Sequence, residues 1–255
     1  MSLRLLLCAA ALAVLSACAT DVREQPATGR AQLVMQNPAL NPRNGGILID
    51  GASLQPGDIL LSSGDGFTSA GIRLLTLSPV SHASIYIGDG KVAEAVGEGI
   101  RQHTVAQVLA EESTVVAFRH PGVLPEHARK MQAFAQQQTG NRYNVVGVVL
   151  QAPFSVERRV CELPLLPSPL RDFCVQGVAA VQLGLGSNDR FFCSQFVLEA
   201  YRRAGLPLTD ADPRMVSTGD LMHMREGDVP AVRIHQSLHY LGHLKFQPVV
   251  QAAGG

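Results

Sequence analysis

The chain has 255 residues with 21 Lys+Arg against 21 Asp+Glu, so it carries no formal net charge at pH 7. That neutral balance gives no electrostatic footing for nucleic acid as a partner. Its 46% hydrophobic and 16% charged residues agree with one compact soluble body, and the roughly 200 residues left after an N-terminal signal and linker suit a single domain with a sizeable core.

Met1-Ser2-Leu3-Arg4 is a short basic start, followed by an apolar run from Leu5 to Leu15 that ends in Leu15-Ser16-Ala17-Cys18. This run is shorter than the roughly 20 residues a helix needs to cross a bilayer, so residues 1–17 read as an export signal. Small residues before a cysteine resemble the bacterial lipobox, in which the cysteine, here Cys18, is lipidated and opens the mature protein. The other reading is an ordinary cleaved signal with Cys18 as a bystander. Lipidation would hold the protein at a membrane. Ala19 after the cysteine, rather than an aspartate, favours by analogy with known lipoproteins an outer-membrane anchor facing the periplasm. Residues 18–45 read as the lipidated N-terminus and a tether, since Thr20 to about Arg43 is rich in Gln, Asn, Pro and Arg without clear periodicity. Residues 46–255 form the expected domain.

Asp58 to Ser62 is expected as a buried strand entered through a Pro56-Gly57 turn, and Phe67 to Leu77 as a helix stopped by Pro79. Ala83 to Ile87 alternates apolar and polar residues, turns on Gly88-Asp89-Gly90 and resumes at Val92, the pattern of a β-hairpin. His82 opens its first strand and Glu94 sits on its second, within reach of one another across the pair. Thr104-Val105-Ala106-Gln107 predicts a capping box opening a short helix to about Glu111, and Thr114 to Phe118 predicts a strand. Pro125 starts a longer helix with Ala128, Met131, Phe134 and Ala135 on its apolar face and Gly140 at its end. Residues 151–187 form an insertion containing Pro164, Pro167, Pro169, Cys161 and Cys174. Ser194 to Ala204 predicts a helix stopped by Gly205, and Val229 to Ile234 and Phe246 to Val250 are expected to close the chain as strands or extended segments.

In an oxidising compartment, Cys8 leaves with the signal and Cys18 carries lipid. Cys161 and Cys174 then either close a disulfide around the proline-rich loop or stand as two independently buried thiols. Cys193 is the odd cysteine, placed at a helix N-terminus where free N–H groups and the helix dipole favour thiolate and suit an oxyanion. A thiolate, an imidazole and a carboxylate make up an acyl-transfer site: Cys193 as nucleophile, His82 as base, Glu94 fixing the imidazole's tautomer. Each residue alone has a plainer reading, as a small buried hydrophobe, a structural histidine and a solvent-facing glutamate.

At these residues the sequence resembles a family. Pro56-Gly57-Asp58-Ile59-Leu60, then Ser81-His82-Ala83-Ser84-Ile85-Tyr86-Ile87-Gly88-Asp89-Gly90-Lys91 and Glu94, look like the histidine half of the NlpC-type papain-like hydrolases. Phe192-Cys193-Ser194-Gln195-Phe196-Val197 follows that half instead of preceding it, the circularly permuted order of the YiiX/YebB-like branch, related to the lecithin:retinol acyltransferase group. The resemblance covers about Leu54 to Leu221. It implies an α+β, permuted papain-like fold with an antiparallel sheet packed against helices, Cys193 as nucleophile, His82 as base and Glu94 as third member. It also makes Tyr143, in Gly140-x-x-Tyr143, a candidate for shaping the oxyanion site, against an ordinary packed tyrosine. The long insertion departs from the pattern and leaves the cleft, and so the substrate, open.

His235, His239 and His243 stand four apart and would share a helical face, but Gly242 interrupts it and no acidic or cysteine ligand accompanies them, so no metal is expected. Serine-hydrolase and phosphate-loop signatures are absent and no cofactor is implied. The expectation is therefore a lipid-anchored cysteine hydrolase cleaving an amide in a peptide or acyl-amide substrate of the cell envelope. Acyl transfer, or thioester or lipid-amide hydrolysis, is the alternative chemistry. A non-catalytic envelope binding protein is the alternative class, and requires Cys193 to be buried, inert and far from His82.

Overall fold

The computed structural model describes residues 20–24, 31–35, 46–64, 69, 78–141, 161, 170, 173, 174, 177, 192–225 and 232–246. The expected helix over 67–77, the apolar run over 145–150 and most of the 151–187 insertion lie outside them, as do Cys18 and Tyr143. Within the stretch read as an irregular tether, the backbone pairs as an antiparallel hairpin of β1 (Thr20–Glu24) and β2 (Ala31–Met35). Short β-prone runs on either side of a Pro26- and Gly29-containing connection account for it.

The rest is an α+β arrangement around a six-stranded antiparallel sheet. Its strands are β3 (Ile59–Ser63), β4 (His82–Gly88), β5 (Lys91–Val96), β6 (Gly99–Thr104), β7 (Thr114–Arg119) and β8 (His239–Lys245), in the spatial order β6-β5-β4-β3-β7-β8. β3 is buried along its whole length, as its unbroken apolar start requires of a central strand. It is entered through a tight turn: Gly57 adopts φ 102° and donates to the Tyr86 carbonyl, and Asp58 N–H donates to the Gln55 carbonyl. The Asp58 carboxylate, 1% exposed, takes two 2.7 Å bonds from the Arg119 guanidinium and another from Gln55 N–H.

β4 and β5 form the expected hairpin. Asp89 and Gly90 both have positive φ, which gives the two-residue turn the twist its flanking strands need. β6 was not foreseen, because Gly99-Ile100-Arg101-Gln102-His103-Thr104 lacks an apolar alternation. It is an edge strand, where polar and charged side chains discourage pairing with other chains.

Helices cover both faces of the sheet. α1 (Val105–Glu111) opens on the expected capping box, with Gln107 N–H donating to Thr104 Oγ1 and Thr104 N–H to Gln107 Oε1. It closes a small core of Leu54, Leu60, Tyr86, Val92, Val115 and Ala117 through Val108. On the opposite face, α2 (Pro125–Gln138) and α3 (Cys193–Ala204) pack on Ile59, Leu61, Ala83, Ile85, Val116 and Phe118. The two helices meet through stacked Phe134 and Phe196 rings, centroids 5.5 Å apart. α3 ends at left-handed Gly205, after which Leu206 N–H returns to the Tyr201 carbonyl. A last short helix, α4 (Thr218–His223), is capped by Ser217.

The closing strand among the described residues is β8, and Ile234 takes part in an isolated bridge with Thr209; residues 229–231 and 247–250 of the expected closing segments lie outside the described residues. His239 and His243 therefore lie on an extended strand, with Gly242 at φ 147° between them, and His235 lies outside it. The three histidines share no helical face, because β7 supplies a partner from His239 onward and the backbone extends to meet it, while His235 precedes that pairing.

Candidate active site

Each candidate residue owes its place to a different element. His82 is the first residue of β4, Glu94 lies in the middle of β5, and Cys193 is the first residue of α3. By register His82, Ser84, Glu94, Arg101 and His103 share the α1 face of the sheet, whereas α3 packs on the other face. His82 stands where β4 begins, and there the leading end of α3 reaches the imidazole.

Glu94 is not directly opposite His82. It pairs with Ser84, and the contact to His82 is diagonal, a spacing that long side chains bridge. His82 Nε2 and Glu94 Oε2 are 2.7 Å apart. With Nε2 engaged there, Nδ1 is the ring nitrogen left to serve the Cys193 side chain, which interacts with the imidazole. Cys193 is a free thiol, 8% exposed, so the burial that the non-catalytic reading requires is present, whereas the distance from His82 that it requires is not.

Burial alone would lower the His82 pKa, but the Glu94 carboxylate and the Cys193 sulfur outweigh it and hold the imidazole well above its ordinary value. Burial would likewise raise the Glu94 carboxyl, yet His82 and then His103 pull it far below the usual carboxylate range. The two shifts agree in sense: each partner stabilises the other's charged form.

Sequence reasoning missed the surroundings of Glu94. Arg101 Nε donates to Glu94 Oε1 at 2.8 Å, and its Nη2 donates to Glu111 Oε2 at 2.9 Å. His103 Nε2 lies 3.1 Å from Oε1 without the alignment of a hydrogen bond. Glu112, just beyond α1, has its carboxyl pushed up by burial, with His82 opposing and Glu94 adding to the shift. Had Gly97-Glu98 been read as a second, two-residue hairpin turn, reflection about it would have set Arg101 against Glu94.

These groups surround a small cavity of about 170 Å³ bordered by Ser69, Ser81, His82, Glu94, Arg101 and Glu112. A larger one, about 470 Å³, lies at the other end of β3 beside Asp58 and Arg119, away from His82. Cys161 and Cys174 are joined as a disulfide. Among the described residues no group of three or more His, Cys, Asp or Glu side chains is arranged to hold a metal ion.

No family model matches the chain. The "Probable lipoprotein peptidase YaeF" of Escherichia coli (strain K12) is 41% identical to it over 200 residues, 77% of this chain and 73% of that protein. The chain belongs to the YaeF family. A solved structure, the "metalloprotein yiiX" of Escherichia coli O157:H7, aligns with 76% of this chain and 98% of its own at 20% identity and a TM-score of 0.43, a likeness too slight to carry an argument. The YaeF relative's name is that of an enzyme and of a lipoprotein, and so associates the family with peptidase chemistry and the cell envelope.

Proposed function

We propose that this protein is a lipid-anchored cysteine hydrolase of the cell envelope that cleaves an amide bond through Cys193, His82 and Glu94. The observation that carries the reading is the position of His82, 2.7 Å from Glu94 on one side and in electrostatic interaction with the Cys193 side chain on the other. A free thiol, a base raised in pKa and a buried carboxylate in series are the parts an acyl-transfer site needs. Kinship with a protein named a lipoprotein peptidase supports both the chemistry and the anchor at Cys18. The order of the chain, with the histidine strand before the cysteine helix, fits the permuted papain-like arrangement.

In this mechanism Cys193 Sγ, its proton held by His82, attacks the carbonyl carbon of the amide. The N–H groups in the first turn of α3 have no intrahelical acceptor and stabilise the oxyanion. His82 passes its proton to the leaving nitrogen as the C–N bond breaks, leaving a thioester on Cys193. Water, deprotonated by the imidazole, then hydrolyses the thioester to a carboxylic acid and restores the thiol. Glu94 keeps the ring oriented throughout and stabilises the imidazolium.

The test is release of new amino groups from purified cell-wall peptides and acyl amides by the full-length mature protein. Cleavage lost in both Cys193→Ala and His82→Ala supports the reading. Cleavage that persists in Cys193→Ala assigns the activity to another group and overturns it.

A further inference from the structure

We propose that Arg101 is a positioning residue of this site, clamping one oxygen of the Glu94 carboxylate so that the other stays on His82. The inference rests on the Cys193–His82–Glu94 reading above. Its ground is a division of labour seen in the bonds: Oε1 takes Arg101 Nε at 2.8 Å, and Oε2 meets His82 Nε2 at 2.7 Å.

Glu94 reaches His82 only diagonally, and an unanchored glutamate has several rotamers over which to spread. Arg101 stands directly opposite Glu94 in the β5–β6 register, so its short approach needs no strain. The other arm of its guanidinium is fixed to Glu111 at 2.9 Å, which ties the clamp to the end of α1. Lysine could supply the charge but not this two-armed fork.

The charged and titratable groups facing Glu94 are His82 from β4, Arg101 and His103 from β6, Glu111 and Glu112 from the end of α1 and the residue beyond it, and Cys193 from α3 through His82. Arg101 is charged at every working pH. His103 approaches Oε1 at 3.1 Å but misaligned, and so cannot replace the clamp. Arg101 remains 38% exposed, against 3% for Glu94, so it reaches in from the surface to a carboxylate that is itself buried.

The experiment measures the pH profile of Cys193 alkylation by iodoacetamide in the full-length mature protein and in Arg101→Gln, Glu94→Gln and the double variant. Loss of the clamp is expected to move the acid limb of the profile upward by about one pH unit. The same substitution placed on Glu94→Gln is expected to add no further shift, since Arg101 acts through the carboxylate. An unshifted limb in Arg101→Gln, or shifts that add in the double variant, would overturn the proposal. Should Arg101→Gln fail to fold, Arg101→Lys reads the same quantity: a partial upward shift supports the clamp and an unshifted limb refutes it. Failure of the hydrolase reading looks different, because the wild-type profile would then be indifferent to His82→Ala.

Discussion

Glu94 pairs across the sheet with Ser84, yet its Oε2 lies 2.7 Å from Nε2 of His82. The relationship depends on one irregularity. Gly88 pairs with Lys91 around the turn, and a regular hairpin continued from that pair would set Glu94 opposite Ile85, on the other face of the sheet. The register slips between Tyr86 and Gly88, so that Tyr86 pairs with Val92 and Ser84 with Glu94. Glu94 is thereby turned to the face of His82, as a one-residue change of register must do.

If that carboxylate orients the imidazole, Glu94→Gln should lower Cys193-dependent amide cleavage by about 100-fold or more while far-UV circular dichroism is unchanged. A loss of less than about threefold, measured as kcat/KM at neutral pH, would show that the hydrogen bond is ornamental.

The pKa directions fix how stability should vary with pH. His82 is raised in the folded state, so its contribution is fully present below the ordinary histidine value, about 6.5, and is lost as pH rises through the raised one. Glu94 is depressed, so its contribution is present above the ordinary carboxylate value and survives until strong acid. Thermal melts of the mature protein should therefore lose stability on the alkaline side, and His82→Ala should lose less over the same range. Parallel curves for the two proteins would contradict the coupling.

Asp58 immediately precedes the first strand of the sheet, but its work is structural. Its buried carboxylate is held by Arg119 and by Gln55 N–H at the far end of β3 from His82. Arg119→Met should cost about 2–3 kcal/mol in urea unfolding, below the full value for a buried pair because the guanidinium is part-exposed. Cys193 alkylation should be unaffected. A cost under about 0.5 kcal/mol would place the pair among weak surface contacts.

The disulfide between Cys161 and Cys174 makes a chemical prediction about the remaining thiol. Without reductant, iodoacetamide treatment of the mature protein followed by peptide mapping should find Cys193 alone modified and residues 161 and 174 linked. Modification of all three would contradict it.

Much of this was legible from sequence because local signals agreed with the fold. The Asp89-Gly90 turn, the Thr104 capping box, Pro125 at a helix start and Gly205 at a helix end each act within a few residues and appear where expected. His82, Glu94 and Cys193 were singled out by their places in a hairpin and at a helix start and by the family resemblance, and His82 and Glu94 lie 2.7 Å apart. Arg101 and His103 were not, since an edge strand carries no apolar period to announce it. The bulge that turns Glu94 inward was hidden as well, although Gly88 beside it takes φ 96°, a conformation that favours glycine. The helical face that the spacing of His235, His239 and His243 suggests, and that Gly242 already counts against, does not form: pairing with β7 extends the backbone from His239 onward.

The central claim is that His82 holds charge beside the Cys193 sulfur. Its most direct test is the iodoacetamide labelling rate of Cys193 across about pH 4 to 9 in the mature protein and in His82→Ala. The account expects labelling that persists well below pH 7 and moves upward in the variant. An ordinary thiol profile centred near pH ~8.5, identical in the two proteins, would contradict it.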